Sequence, residues 1–205
     1  MREKKADKRK IQGAETKKRL YEVAERLFME KSYSDVSIED ITHKAGITKG
    51  AFYVHFESKD ALIAIMIADY VARADKNYKI FLESLPEKMP VSELILELTE
   101  KIADELIHTI GCENMRKIYQ FLIAGNEVAE SVKGYNREIY MLYYNILEKG
   151  IQRGEFNTSL SVDILSRHFV MAIRGVCYEW CIRYPDFDLR EQVIEHIRLL
   201  IEGIK

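Results

Sequence analysis

The sequence predicts an all-α fold with a small amino-terminal helical unit and a larger carboxy-terminal one. Three observations carry this. Only 3 prolines and 10 glycines interrupt 205 residues, which favours long helices over many-stranded sheets. Apolar residues recur at helical spacing through most of the chain. No segment shows the strict alternation of a half-buried strand. Hydrophobic residues make up 47% of the chain and charged residues 31%, enough for a packed core.

The first periodic segment is Thr16 to Lys31. Leu20, Val23, Ala24, Leu27 and Phe28 form one apolar stripe. The preceding "MREKKADKRK" holds six basic and two acidic groups. It reads either as a solvated terminus or as an arm that touches phosphates. A short second helix fits Ser37 to Lys44. Ser37 is its N-cap, and Asp40 three residues later completes a capping box. Ile38 and Ile41 face inward, Gly46 takes a left-handed backbone position, and Ile47 plugs the turn. Thr48 caps a third helix that runs to about His55. Ser58 caps a fourth, long helix, with Lys59 in its first turn.

The loop "SLPEKMP", with Pro86 and Pro90, is the best candidate for a domain boundary. The long helix before it reads as a rigid connection between two domains. Beyond Pro90 the pattern predicts helices near 91–110, 113–124, 127–152, 162–184 and 188–203. Asp188 and Glu191 form the start of the last one.

Helix, glycine-containing turn, helix is a helix-turn-helix pattern. The run Ser37-x-x-x-Ile41, Ala45-Gly46-Ile47-Thr48-x-Gly50-x-Phe52-Tyr53-x-His55-Phe56-x-x-Lys59-x-x-Leu62 closely resembles the DNA-binding signature of the tetracycline-repressor (TetR-type) transcription regulators. The resemblance covers roughly residues 14–75. One position departs: the family usually has alanine where this chain has Thr42. The carboxy-terminal sequence carries no motif that matches. The resemblance implies a DNA-binding domain over 14–75, with the helix-turn-helix at about 37–56. It implies a helical ligand-sensing and dimerisation domain over 76–205. The expected function is a homodimeric regulator, a repressor released from a palindromic operator on double-stranded DNA by an unknown small-molecule effector. The alternative is a helical dimerisation or small-molecule-binding protein without sequence-specific DNA binding.

The residues fit the chemistry of a groove-reading helix. Bulky side chains at its leading end would hold the backbone away from base edges. Thr48, Lys49, Gly50 and Ala51 are small or flexible. Gly50 weakens a helix by about 1 kcal/mol relative to alanine, so close approach to DNA or to a neighbouring helix must require it. Lys49 reaches a guanine edge or a phosphate. The resemblance places Tyr53 and His55 near the operator backbone, and Lys59 joins them at a helix start that favours an anion. The bland alternatives are solvated charges for Lys49 and Lys59, a structural histidine at 55 and a core edge at Tyr53. Ser37 is either a cap alone or a cap that also touches phosphate. Thr42 and His43 complete the DNA-facing set. Phe52 and Phe56, four apart, belong to the core.

In the second domain, the stripe of 162–184 and that of the last helix suggest a four-helix dimer interface through Ala172, Val176, Trp180, Ile194, Ile197 and Ile201. The same stripes would also serve their own subunit's core. Tyr119, His168 and Arg174 are candidate ligand contacts amid apolar neighbours. Cys177 and Cys181 share a helix face, but with no matching ligand pair they do not make a zinc site. They read as small core residues. No metal and no cofactor is expected.

Residues 1–60 hold 14 Lys/Arg against 11 Asp/Glu, so a mildly basic front precedes an acidic body. No phosphate-binding glycine loop, metalloprotease motif or nucleophile elbow appears, which argues against an enzyme. The longest apolar run, Ala61 to Ala68, is far short of the roughly 20 residues that span a bilayer. Three cysteines are too few for a disulfide framework, and the basic start lacks a signal peptide's apolar stretch. A cytoplasmic protein without membrane contact is expected.

Overall fold

The computed structural model describes residues 2–31, 33–123, 134–135 and 137–205. Among these, nine α-helices follow one another and no strand occurs. They are α1 (Arg2–Glu30), α2 (Ile38–Ala45), α3 (Lys49–His55), α4 (Lys59–Ser84), α5 (Val91–Asp104), α6 (Cys112–Ile123), α7 (Glu138–Gln152), α8 (Val162–Arg183) and α9 (Leu189–Glu202). A 3-10 turn, Tyr33–Asp35, precedes α2, and the coil of α5 widens to a π-type turn over Glu105–Ile110. Gly111, at φ 76, ends that turn and donates its N–H to Leu106 O.

Two helices differ from expectation. The basic amino terminus is part of α1, which starts at Arg2 rather than Thr16. Lys, Arg, Glu and Ala are all good helix formers, and no proline interrupts them. The helix expected over 127–152 does not run through residues 134 and 135, which form a bend and turn. Helix α7 starts only at Glu138. The rest of that expected helix, 127–133 and 136, lies outside the described residues.

The described residues up to Asp69 form one compact unit, and those from Tyr70 onward another. The division falls inside α4. The Pro86–Pro90 loop therefore lies within the second unit, because Ala74 and Tyr78 already belong to that unit's core, with Tyr70, Leu82 and Leu85 packed on it.

The first unit is α1, α2, α3 and the start of α4 around one core. Leu20, Val23, Ala24 and Leu27 of α1 meet Ile41 and Ala45 of α2, Phe52 of α3, and Phe56 and Leu62 beyond it. Every one of these side chains is buried. Phe52 and Phe56 lie against each other with centroids 5.6 Å apart.

The second unit packs α5, α7, α8 and α9 around Ile95, Leu98, Tyr143, Leu147, Phe169 and Ile197. Tyr143 stacks on Phe169, and its hydroxyl lies 3.1 Å from Thr99 Oγ1 inside this core. Burial pushes the Tyr143 phenol far above its ordinary range. A bidentate ion pair, Arg137 to Asp75, is buried between α4 and the start of α7, with Nη2–Oδ1 at 2.8 Å. Helix α5 has no side-chain cap of its own. Glu155, from the turn after α7, accepts the Val91 N–H at 2.6 Å instead. A second small cluster holds Cys112, Cys177 and Cys181 with Met115, Trp180 and Leu189.

Candidate DNA interface

The helix-turn-helix is fixed by local chemistry at each end. Ser37 Oγ accepts the Asp40 N–H at 3.0 Å, and Asp40 Oδ2 accepts the Ser37 N–H at 2.8 Å. That reciprocal pair satisfies two donors that the start of α2 would otherwise leave open. The hydrogen bonds from Ser37 hold the Asp40 carboxyl below its ordinary range. At the other end Gly46 sits at φ 62, ψ 38. Its N–H goes to His43 O and the Ile47 N–H to Thr42 O, the two bonds of a Schellman turn. Thr48 Oγ1 then caps α3 by accepting the Ala51 N–H at 3.2 Å.

These caps aim α3 with one face in and one face out. Phe52 is fully buried. Lys49, Gly50, Tyr53 and Val54 are exposed on the opposite side, at i, i+1, i+4 and i+5. Tyr53 rests the edge of its ring on Phe52, centroids 5.5 Å apart, while half of the residue stays in solvent. A Cβ added at Gly50 would meet no atom within 4 Å. Packing against a neighbouring helix is thus not the reason for this glycine, which leaves approach by something outside the unit. Thr48, Ser37 and His43 are exposed as well, and Ala51 and His55 are half-buried. The His55 ring lies beside α1, its Cε1 3.8 Å from where a Cβ on Gly13 would stand.

Lys49 is hydrogen-bonded and ion-paired to Glu39 of α2, with both side chains more than half exposed. The pair raises the lysine's proton affinity and lowers that of the glutamate.

Two expected DNA contacts are corrected. Thr42 is buried, 5% exposed, and donates its hydroxyl to Ile38 O and Glu39 O. It belongs to the packed face of α2 rather than to its exposed one. Lys59 is not a free cation. Its Nζ donates to Tyr33 O and Val36 O, each at 2.8 Å, and lies over the Tyr33 ring. Burial lowers its proton affinity. It ties the 33–36 turn to α4, and the Tyr33 hydroxyl bonds Asp60 beside it. Val54, 78% exposed, was passed over in the sequence because valine carries no polar group to flag it.

In the second unit the structure brings Tyr119 and Arg174 together. The Tyr119 hydroxyl donates to Arg174 O at 3.2 Å, and the Arg174 guanidinium lies 5.6 Å from the Tyr140 ring. His168 is exposed and joins neither. Three of the six residues expected at a dimer face are buried in their own subunit: Trp180 at 4%, Ile197 at 0% and Ile201 at 2% exposure. Ala172, Val176 and Ile194 are half-buried and pack on that same core. The exposed apolar residues of α8 are instead Ile164, Met171, Tyr178 and Ile182. With exposed Gly175 between them, they recur at intervals of seven and four residues on one face. Among the described residues no group of three His, Cys, Asp or Glu is placed to hold a metal, and no helix is long and apolar enough to cross a membrane.

Comparison with known proteins agrees with this geometry. Residues 20–65 match the family model described as bacterial regulatory proteins, tetR family. The chain is 28% identical over 196 residues to the HTH-type transcriptional regulator YdgC of Bacillus subtilis (strain 168), covering 95% of each. It is 24% identical to the HTH-type transcriptional repressor KstR2 of Mycolicibacterium smegmatis, over 94% of this chain and 92% of that one. The crystal structure of FadR from Bacillus subtilis in complex with stearoyl-CoA shares the fold at a TM-score of 0.72 and 20% identity, covering 91% of this chain and 98% of that one. The small-fronted helix α3, held by its caps on a core of α1, α2 and α4, lies inside the segment that matches the tetR family, so residues 20–65 form a TetR-type helix-turn-helix, and over nearly its whole length the chain is similar to HTH-type transcriptional regulators.

Proposed function

We propose that the protein is a homodimeric repressor that places α3 of each subunit in the major groove of a palindromic operator and leaves it when the second unit binds a small molecule. The observation that carries this is the divided surface of α3. Its inner side chains are all committed to the core, and its outer face is small at the front and amphipathic behind. Lys49, Gly50 and Ala51 lead into the groove with Thr48. Tyr53 and His55 meet the backbone on one side of α3, and Ser37 and His43 meet it from α2. Thr42 and Lys59 support this set from within.

The dimer forms through the exposed line of α8, Ile164, Met171, Gly175, Tyr178 and Ile182, rather than through the buried stripe. Gly175 lets two helices approach closely, since a Cβ there would meet nothing within 4 Å of its own chain. The effector is apolar for much of its length, in keeping with the aromatic and aliphatic composition of the second unit. Tyr119 and Arg174 contribute polar contacts. Because the FadR structure that shares this fold holds stearoyl-CoA, long-chain acyl-CoA is the first effector to try.

The test is selection of duplexes from a random library by the purified protein, followed by affinity across a salt series. A palindromic sequence should emerge, and its binding should weaken steeply with salt. Met171→Glu should yield a monomer on light scattering. Equal, weak binding to every duplex by a stable monomer would contradict the reading.

A further inference from the structure

Val54 is the most exposed large apolar side chain among the described residues, at 78%. It lies on a seven-residue helix whose Phe52, like the adjoining Phe56, is buried. One turn before it stands Gly50, where a Cβ would meet nothing. Residues four apart on a helix lie one above the other. Gly50 and Val54 therefore make a step on the outer face of α3: an open gap, then two methyl groups. Lys49 and Tyr53 form the parallel line beside it. Glycine and valine both weaken a helix, and neither contributes packing here, so the pair has no use within its own unit.

We infer that Gly50 and Val54 form an apolar notch that receives the 5-methyl group of a thymine, which makes Val54 a specificity-determining residue. The inference rests on the reading of α3 as the helix that enters the major groove. Of the four bases, only thymine carries a methyl group on its major-groove edge, and the others present hydrogen-bonding atoms there. A phosphate is the wrong partner for Val54. The side chain would strip water from the anion and return no hydrogen bond. Lys49 and Tyr53, on the neighbouring line, carry the donors that a polar edge or a phosphate needs. The notch therefore adds a methyl reader to a polar one, four residues of helix covering adjacent base pairs.

The test uses the full chain and the duplex selected from a random library, with each thymine replaced in turn by deoxyuridine. That change removes one methyl group and nothing else. At one thymine per half-site the wild type should lose affinity about fourfold for each methyl, the factor expected for burial of one such group. Val54→Ala should lose a similar factor on the thymine duplex and bind the thymine and uracil duplexes alike at that position. Its response at every other thymine and its salt dependence should match the wild type. Since Val54 makes no core contact and alanine is the better helix former, the variant's thermal midpoint should not fall. Gly50→Ala, which fills the gap, should also abolish the thymine preference. If Val54→Ala keeps the wild-type ratio of thymine to uracil affinity at all positions, the notch is overturned. It is equally overturned if no thymine in the selected duplex is sensitive to loss of its methyl. A library that enriches no sequence overturns the DNA reading itself, and is told apart because no duplex then exists for the substitution series.

Discussion

The Lys59 ammonium lies 3.9 Å from the centroid of the Tyr33 ring, and it donates to the carbonyl oxygens of Tyr33 and Val36 at 2.8 Å each. A cation held in this way is part of the frame of the helix-turn-helix. The turn at 33–36 leads directly to Ser37, so Lys59 fixes where α2 begins. Lys59→Met should lower the stability of the first unit by about 2 kcal/mol, the scale of lost hydrogen bonds to a charged group. It should also weaken operator binding without changing the slope of log K against log salt. Lys49→Ala should do the reverse, leaving the thermal midpoint unchanged and reducing that slope by about one ion. A reduced slope for Lys59→Met would mean that the lysine leaves its carbonyls for a phosphate.

The capping box gives α2 a defined response to acid. Hydrogen bonds from Ser37 depress the Asp40 carboxyl in the folded chain. A group whose folded pKa is depressed contributes stability above its unfolded value, near 3.9 for aspartate, and loses it as pH falls through the folded value. The carboxylate half of the box should therefore be at full strength at neutral pH and weaken progressively as pH falls below about 4. Ser37→Ala should cost about 1 kcal/mol at pH 7, and less at pH 3, where protonation of Asp40 begins to weaken the bond from the Ser37 hydroxyl to its carboxylate while the Asp40 N–H bond to Ser37 Oγ remains. Denaturant titrations of both proteins at the two pH values measure the difference.

Gly150 is required by a neighbour rather than by its backbone. An added Cβ would come within 2.4 Å of Phe156 Cδ2 and 3.1 Å of Val91 Cγ1. Both neighbours are buried and cannot withdraw. Alanine is ordinarily the better helix residue by about 1 kcal/mol. Here the clash should outweigh that gain, and Gly150→Ala should destabilise the chain by about 1–3 kcal/mol. Chemical denaturation followed by circular dichroism checks the sign.

The three cysteines meet in one buried cluster, 2–6% exposed. Burial pushes the Cys112 thiol up. Hydrogen bonds from Cys181 and Tyr119 pull the Cys177 thiol down against its own burial. Burial should dominate the chemistry, since a reagent must reach the sulfur before its ionisation matters. In the native protein all three thiols should resist a bulky aromatic disulfide reagent for as long as the fold persists. They should react together when denaturant unfolds it. Rapid reaction of one thiol in the native state would point to an opening beside α6.

How much was legible in the sequence follows from how far each interaction reaches along the chain. Ser37, Asp40, Gly46 and Thr48 act within three or four residues, so the ends of α2 and α3 could be read directly. Phe52 and Phe56 were legible as core because their spacing matches one helix face. Lys59 was not, because the carbonyls that hold it lie 23 and 26 residues earlier. Thr42 was misread for a related reason: its polar hydroxyl is consumed by its own helix, which polarity alone does not reveal. In α8, apolar residues cover two faces, and hydrophobicity cannot say which faces its own subunit. Trp180 looked the better interface anchor and is buried, while Met171 and Ile182 drew no notice. The amino-terminal basic run lacked an apolar stripe, which hid a helix built on propensity.

The pairing of Lys49 with Glu39 also bears on how the protein searches DNA. A lysine facing only water brings its full charge to every phosphate it meets, in any sequence. This one arrives with a carboxylate attached from within its own domain. To grip a nucleic acid it must first exchange one anion for another, so Glu39 behaves as a tethered counter-ion that no dilution removes. Random sequence offers little to offset that exchange, while a site matched to the rest of α3 does. With Lys49 in the groove as proposed, the domain would carry a built-in competitor that holds down its affinity for the wrong DNA.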